Sequence, residues 1–408
     1  MPRLSFPTTA TGSGLHSPPP PFAVADIVRE YGEAFRATHH VSHEQARVLR
    51  AVAQCRTAAL GGHVEACEAC GTERICYNSC RNRHCPKCQS AARAKWVAAE
   101  QALLLPVPYF HVVFTLPQLL TPLLRVNQRA LYNLLFQTAT QTLQEFAHDP
   151  KHWGAELGIT AVLHTWGQTL TEHVHVHCVV TGGGLSAEGT QWRTGRRRFL
   201  FAVKALSRVF RGKYLAALGR LRSAHRLTFA GASAPLAEDH TWTAFLEQLR
   251  QKPWVVYAKS PFGSAEQVLK YLSRYTHRVA IANHRLVFVG NGLVRFRYKD
   301  YGAEGAPKLM ELSAEEFLRR FLLHVVPPHF VRIRHFGLLA NRTRQAKLTR
   351  CRPLLAVATA TGLAALPAKN TPPAPAGPAP LVSGLCPACG VGRLRVIASL
   401  APQHGIPP

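Results

Sequence analysis

The stretch Glu172-His-Val-His-Val-His-Cys178 determines how the rest of the chain is interpreted. Side chains two residues apart in a β-strand share one face of the sheet, so His173, His175 and His177 point one way and the intervening valines point the other. The valine face can pack against a core, and the histidine face can then open onto a site. Imidazoles at i and i+2 are able to hold one divalent cation, with positions remaining for substrate oxygens and water.

The segment before this stretch has the pattern of a partner strand. Residues 159–166 are apolar and β-prone, and 167–172 form a short connection, which together predict a hairpin. His164 on the first strand could cross the hairpin and join the cluster, in a register that the sequence leaves open. A strand with one hydrogen-bonded core histidine and two exposed ones is the competing interpretation, but three histidines at alternate positions favour a metal site.

The composition indicates a polyanionic partner. The chain has 408 residues, 47% of them hydrophobic, and a formal net charge of +27. That length allows two or three domains with a sizeable core. Basic residues are spread along the whole chain, and this favours nucleic acid over an ordinary enzyme with a basic tail. Residues 1–21 are rich in Pro, Ser and Thr and do not have the pattern of a signal peptide, and the sequence has no apolar run of membrane-spanning length. We therefore expect a cytoplasmic protein without a membrane partner.

Six of the eleven cysteines fall between Cys67 and Cys88, in pairs that are typical of zinc sites. Two CxxC pairs supply four thiolates, the tetrahedral set of a structural zinc ion, and the simplest ligand set is Cys67, Cys70, Cys85 and Cys88. The residues left over suffice for a second zinc ion or for a different choice of ligands: His63, Cys76, Cys80 and His84. A further pair, Cys386 and Cys389, has no second pair nearby and is weaker evidence for a metal.

Hydrophobic periodicity and turn residues predict the other elements. Helices are expected at 24–53, 90–105, 118–146, 204–223, 239–250, 264–277 and 313–325, and strands at 109–116, 159–166, 173–181, 254–257, 285–289 and 293–298. Asn291-Gly292 predicts a two-residue hairpin turn between the last two strands. Ser313-Ala-Glu-Glu316 predicts a capped helix start.

The helix expected at 264–277 carries two tyrosines, Tyr271 and Tyr275, beside a basic stripe formed by Lys270, Arg274 and Arg278. A tyrosine pair at i and i+4 is usually half-buried packing. In a basic chain with a histidine metal site, however, both hydroxyls could reach a phosphate. A tyrosine with a pKa of about 10 is a poor nucleophile, and a divalent cation on the scissile phosphate reduces that handicap. The product would be a phosphotyrosine.

Two further basic clusters are candidate DNA contacts. Arg196, Arg197 and Arg198 follow the histidine strand, where a solvated loop and a contact to the DNA backbone are equally good interpretations. Arg332 and Arg334 alternate with aromatic residues, a combination that suits single-stranded DNA. The neighbouring phenylalanines could equally belong to the core.

Several segments together resemble the IS91-type transposases, which are relatives of the HUH endonucleases. They lie in matching order between about residues 40 and 350, at 77–88, 110–117, 163–168, 173–185, 271–281 and 331–341. The resemblance implies that His175 and His177 form the His-hydrophobe-His motif for Mg²⁺ or Mn²⁺, with His173 as a possible third ligand. It also implies that Tyr271 and Tyr275 are the paired nucleophiles of the two-tyrosine group.

The predicted fold class is therefore α+β: an antiparallel sheet with helices, similar to an RNA-recognition fold, after a small helical zinc-binding domain. We expect a disordered tail at 1–22, a zinc-binding and DNA-contacting domain at 23–105, a tyrosine transposase domain at 106–350 and a Pro/Ala-rich linker with a CxxC tail at 351–408. The activity implied is nicking of single-stranded DNA at transposon ends and rolling-circle-type strand transfer, by a protein that lies on the bacterial nucleoid when bound to DNA. The alternatives are a non-catalytic zinc-dependent DNA-binding protein and a histidine-metal phosphohydrolase without a covalent step.

Overall fold

The computed structural model describes residues 20–88, 96–194, 200–262, 267–268, 280–300, 305–360 and 385–403. The helices are α1 (Val24–Thr38), α2 (His43–Gln54), α3 (Thr121–Val126), α4 (Gln128–His148), α5 (Val203–Ser223), α6 (Asp239–Gln251), α7 (Ala314–Leu323) and α8 (Arg344–Ala360). The strands are β1 (Gly62–Cys67), β2 (Glu73–Tyr77), β3 (Tyr109–Thr115), β4 (Ala155–Trp166), β5 (Glu172–Ser186), β6 (Trp192–Thr194), β7 (Val256–Phe262), β8 (Leu286–Gly290), β9 (Leu293–Asp300), β10 (Ala306–Ser313), β11 (Ile333–Gly337) and β12 (Leu394–Leu400).

The largest sheet has the order β11-β4-β5-β3-β7, with β6 paired to β5, and its neighbouring strands are antiparallel. β4 and β5 form the predicted hairpin, and the predicted α+β class is confirmed. β5 lies inside the sheet, between β4 and β3. Its backbone is therefore hydrogen-bonded on both sides, and its side-chain alternation is held by two neighbours.

One face of this sheet is sealed by helices. Val174, Val176 and Cys178 on β5 belong to a large buried cluster that also contains residues of α4 and α5. Aromatic residues fill the layer between sheet and helices, as in the edge-on contact between Phe114 of β3 and Phe210 of α5, whose ring centroids are 4.9 Å apart. The predicted apolar role of the valine face is confirmed, and the opposite face of β5 carries the histidines.

A second core contains residues from both the predicted zinc-binding domain and the predicted transposase domain. It combines α1 and α2 with the β8–β10 sheet and α7. Hydrogen bonds cross the same boundary: the Val24 amide donates to Asn283 and the Gly292 amide donates to the Tyr31 hydroxyl. The packing therefore runs across the predicted division at residue 105.

Several local predictions differ in detail from the structure. The expected helix over 118–146 is interrupted at Asn127, which separates α3 from α4, and residues 118–120 form a short 3-10 helix. The expected helix over 24–53 is interrupted after Thr38, and α2 begins anew with Ser42, whose hydroxyl accepts from the Gln45 amide. The strand expected at 254–257 starts two residues later, as β7. The Asn291-Gly292 turn is found as predicted, with φ of 51° and 72°. The expected helix at 264–277 and the expected Pro/Ala-rich linker lie outside the described residues, apart from 267–268.

The small sheet at the zinc-binding region has the order β12-β1-β2. Its central strand pairs on one side with its sequence neighbour β2 and on the other with β12, from the far end of the chain. The tail expected to follow a linker is thus part of this sheet. Within the described residues no helix combines the length and the apolar character that crossing a membrane requires.

We predict that Phe114→Ala lowers the free energy of unfolding by about 3–5 kcal/mol, because it leaves a cavity under the central sheet. The matched control is Leu309→Ala on β10, where the side chain is 62% exposed and the expected change is within about 0.5 kcal/mol. Chemical denaturation at constant temperature measures both. Equal effects of the two substitutions would contradict the layered core.

Candidate active site and metal centres

Strand register brings three histidines together on the open face of the central sheet. His164 of β4 pairs directly with His175 of β5, and His177 lies two residues further along the same face. A ring nitrogen of each lies within 4.8 Å of the others. Their exposed fractions are 3%, 9% and 8%. Burial lowers the pKa of His175 to about 4, so this imidazole is neutral and able to act as a ligand at neutral pH.

The nitrogen positions fit a single cation. The Nδ1 of His175 lies 2.7 Å from the backbone oxygen of His173, so this nitrogen carries the proton and the Nε2 lone pair points away from the strand. The Nε2 atoms of His175 and His177 are 3.0 Å apart. Two nitrogens about 2.1 Å from one ion, at a right angle to each other, would be separated by about 3.0 Å.

The third imidazole of the group is that of His164 and not that of His173. The His173 side chain is exposed and its ring centroid lies 4.9 Å from that of His175, but it is not a member of the group. Its contribution is the backbone oxygen that orients His175. His164 is in turn stacked on Trp166, with ring centroids 4.6 Å apart.

His111 on β3 supports the site from the neighbouring strand, and sequence reasoning assigned it no role. Its Nε2 lies 2.9 Å from the Nδ1 of His177, and the two rings are stacked with an interplanar angle of 9°. Burial, with a smaller contribution from Lys259, lowers the pKa of His111 to about 3. His111 is therefore neutral, and its Nε2 can accept the proton that His177 carries when its other nitrogen faces a cation. The signal in the sequence was a lone histidine in an apolar strand, which cannot be paired without the register.

The cysteines form two separate tetrads. The first contains Cys55, Cys80, Cys85 and Cys88, and the second contains Cys67, Cys70, Cys386 and Cys389. A tetrahedral zinc ion with Zn–S bonds of about 2.3 Å places its sulfurs about 3.8 Å apart. In the first group the Sγ atom of Cys88 lies 3.5 Å from those of Cys55 and Cys80. In the second group two Sγ–Sγ distances are 3.7 Å, those of the pairs Cys67–Cys389 and Cys70–Cys386. The expected single set of Cys67, Cys70, Cys85 and Cys88 is not the arrangement found.

The ligand sets differ from the expected one because Cys55 was not among the candidates and because Cys386 and Cys389, expected to have no second pair nearby, meet Cys67 and Cys70. Cys55 lies at the end of α2, outside the conspicuous block, and Cys85 and Cys88 reach it through a turn. Cys80, one of the further ligand candidates from the sequence, belongs to the same tetrad. His84 does not: its Nε2 accepts from the Val326 amide and its Nδ1 contacts Asn82, so it links this turn to the rest of the fold.

The remaining candidates, His63 and Cys76, lie beside Glu65. Arg74 donates to the same carboxylate at 2.6 Å. A guanidinium on the carboxylate competes with a cation for the same oxygens, so this cluster is better explained as an ion pair.

Most of the predicted DNA contacts and both predicted nucleophiles lie outside the described residues: Tyr271, Tyr275, Lys270, Arg274, Arg278, Arg196, Arg197 and Arg198. Arg334 lies over the rings of Phe136 and Phe330, at 4.4 and 5.0 Å from their centroids. Desolvation lowers the pKa of Arg332 to about 10, although it remains charged at neutral pH. The contacts of Arg334 are with aromatic rings of the core, and the role of both arginines towards DNA stays a prediction.

One described residue connects the predicted tyrosine segment to the histidine face. Val268 is fully buried in a cluster with Tyr109 of β3 and Val179 of β5. Val179 is two residues from His177 and points to the same face. The chain three residues before Tyr271 is therefore anchored on the face that carries the histidines.

Comparison with known proteins identifies transposases by family models and by similar sequences. A family model described as "Putative transposase" (Y2_Tnp) matches residues 158–347, and one described as "Transposase zinc-binding domain" (Zn_Tnp_IS91) matches residues 27–116. The chain is 53% identical over 333 residues to "Putative transposase y4qJ" of Sinorhizobium fredii, covering 81% of this chain and 84% of that protein. It is 31% identical over 315 residues to "Transposase for insertion sequence element IS801" of Pseudomonas savastanoi pv. phaseolicola, covering 75% and 72%. No solved structure gives a significant match.

We predict that His111→Ala weakens Mn²⁺ binding about 10–100-fold, because His177 loses the partner that fixes its tautomer and orientation. His111→Gln should recover part of the affinity, since the amide oxygen can replace the Nε2 acceptor. Titration followed by electron paramagnetic resonance of free Mn²⁺ measures the effect. His240→Ala, at an exposed position of α6, is the control. Unchanged affinity in His111→Ala would show that the contact does not position the ligand.

Proposed function

The chain belongs to the IS91-type transposases, and from this premise we propose that it nicks single-stranded DNA at the transposon ends through a 5′-phosphotyrosine intermediate and transfers strands by a rolling-circle-type mechanism. The observation that carries this proposal is the imidazole group of His164, His175 and His177, whose nitrogens lie within 4.8 Å of one another on one face of the sheet. As a transposase it acts on DNA; the single-stranded substrate and the covalent step are the proposed parts.

The histidines would hold Mn²⁺ or Mg²⁺, and imidazole donors favour Mn²⁺ because Mg²⁺ prefers oxygen ligands. When bound, such a cation polarises the scissile phosphate. His111 and the backbone oxygen of His173 keep two of the three imidazoles in the ligand tautomer. The protein's part is thus to present imidazole nitrogens in a fixed arrangement before DNA arrives.

The proposed nucleophiles are Tyr271 and Tyr275. In the helix predicted for 264–277 they follow Val268 by three and seven residues, so both would lie within about 60° of it around the helix. Val268 packs beside Val179, and His177 is two residues, or about 7 Å, further along β5. A helical rise of about 1.5 Å per residue gives about 4.5 Å to Tyr271 and about 10 Å to Tyr275. If the predicted helix runs along β5, these lengths would bring both hydroxyls within reach of the histidine group.

The covalent step conserves the phosphodiester energy. The tyrosine oxygen attacks the scissile phosphorus, the bond from phosphorus to the 3′ oxygen breaks, and that oxygen leaves with a proton as a 3′ hydroxyl. A 3′ hydroxyl of a second strand later attacks the phosphotyrosine, which restores a phosphodiester and the tyrosine. Two tyrosines allow two strands to be held during one transfer.

The edge strand β7 adds groups that suit a nucleotide on the same face. Tyr257 pairs in register with Val113 and Lys259 pairs with His111, and both side chains are exposed. An exposed aromatic ring with a neighbouring cation is the arrangement by which single strands are bound through stacking and charge.

We predict a covalent protein–DNA adduct when the protein is incubated with labelled single-stranded DNA of the element's ends and Mn²⁺. The adduct should survive denaturation and disappear in the Tyr271→Phe/Tyr275→Phe double variant. Tyr77→Phe, in β2 of the zinc-binding region, is the matched control and should leave it unchanged. Cleavage without an adduct would favour a phosphohydrolase, and binding without cleavage would favour a non-catalytic DNA-binding protein.

We also predict that His164→Ala weakens Mn²⁺ binding more than about tenfold, because it removes a ligand. His173→Ala should change the affinity less than about threefold, since it preserves the backbone oxygen that holds His175. Isothermal titration calorimetry of the two variants compares them directly. A larger loss in His173→Ala would make His173 the third ligand.

A further inference from the structure

We propose that Cys67, Cys70, Cys386 and Cys389 bind a second structural zinc ion, which fastens the C-terminal segment of the chain to the zinc-binding region. The four residues lie at opposite ends of the sequence, and the family model for the zinc-binding domain ends at residue 116. The site is thus assembled from two segments, and neither segment can complete it alone.

The sulfur geometry is that of a zinc site. The Sγ atoms of Cys67 and Cys389 are 3.7 Å apart, and so are those of Cys70 and Cys386. These distances match the edge of a tetrahedron around zinc, about 3.8 Å, and are far from the S–S bond length of about 2.05 Å in a disulfide. Each pair across the interface joins one cysteine of each segment, so a single ion would contact both.

The two segments have the same local structure. Cys67-Glu-Ala-Cys70-Gly71 and Cys386-Pro-Ala-Cys389-Gly390 have the same cysteine spacing and differ at one residue, and both terminal glycines have φ of 70°. In each turn the glycine amide donates to the carbonyl of the first cysteine, at 3.0 and 2.8 Å. A backbone amide two residues on, that of Ala69 or Ala388, also points to the first sulfur at 3.4 Å. N–H groups directed at sulfur stabilise thiolate ligands.

Backbone pairing holds the two turns face to face. β12 runs antiparallel to β1, with Cys67 paired to Leu394 and Gly62 paired to Leu400. The Glu68 amide donates to the Arg393 carbonyl at 3.0 Å. Gly392 approaches so closely that a Cβ at this position would lie 2.3 Å from the sulfur of Cys67. This close approach explains the glycine two residues after the second turn.

One zinc ion bound by both CxxC turns, an arrangement that we call the clasp, would also stabilise the β12-β1-β2 sheet. A two-stranded hairpin such as β1–β2 is marginally stable alone. Here β2 is mostly exposed, and the third strand comes from the C-terminal segment. Metal binding that requires both segments adds its free energy to their association. The first tetrad, by contrast, is built within residues 55–88 and does not need the tail.

Zinc content of the purified full chain tests the proposal. We expect two zinc ions per chain in the wild type by elemental mass spectrometry. Cys386→Ser/Cys389→Ser and Cys67→Ser/Cys70→Ser should each contain one, and the quadruple variant should still contain one, because both pairs ligate the same ion. Cys351→Ala, a buried cysteine of α8 outside both tetrads, is the control and should contain two. Two zinc ions in Cys386→Ser/Cys389→Ser, or none in the quadruple variant, would overturn the proposal.

A second measurement does not depend on the folding of a cysteine variant. A specific protease site inserted between residues 361 and 384 allows the wild-type ligand set to be cut after folding. We expect the C-terminal fragment to remain bound on gel filtration with zinc present and to separate after a chelator or a thiol-blocking mercurial removes the metal. Separation before zinc removal, or retention after it, would contradict the clasp. Neither readout depends on DNA cleavage, so the result is independent of the proposed reaction.

Discussion

The two-residue period of β5 is the constraint on which the site depends. Because β5 is hydrogen-bonded to β4 and β3, a shift by one residue would turn Val174 and Val176 out of the core and the histidines into it. The valines on the sealed face therefore determine where the imidazoles point. The free energy that stabilises the site comes from apolar burial on the other side of the same strand. The histidines therefore do not have to stabilise the fold themselves.

The register between strands determines which histidines of different strands meet, and the alternation within one strand does not. The strands β3, β4 and β5 could be predicted from their composition, and so could the common face of His175 and His177. The pairing of His164 with His175, and the contact between His111 and His177, depend on which residues of different strands come to lie opposite each other. A bulge after His164 also enters this pairing, and no local pattern specifies it. The zinc ligands show the same limit at greater distance: CxxC spacing indicates zinc, but it does not state which pair meets which.

The thiolate tetrads connect separate segments of the chain. The first joins the end of α2 to the turn at 80–88, beside the packing of α1 and α2 against β8–β10. The second joins segments more than 300 residues apart, where loop closure is expensive for weak contacts alone. A metal–thiolate set concentrates a large binding free energy in four side chains, and this suits small exposed sheets that cannot bury enough apolar surface.

Thiolate donors suit a structural metal centre, and imidazole donors suit a centre that acts on a substrate. Four thiolates more than neutralise a divalent cation and occupy each tetrahedral position, so such a centre holds shape. In the part of the chain that the structure describes, the histidine group includes no carboxylate or thiolate. Neutral imidazoles leave the full charge of a bound divalent cation directed at its open positions, where a phosphate would lie. The net charge of +27 would attract the DNA to the protein as a whole. A cation at the histidine group would polarise only the scissile phosphate.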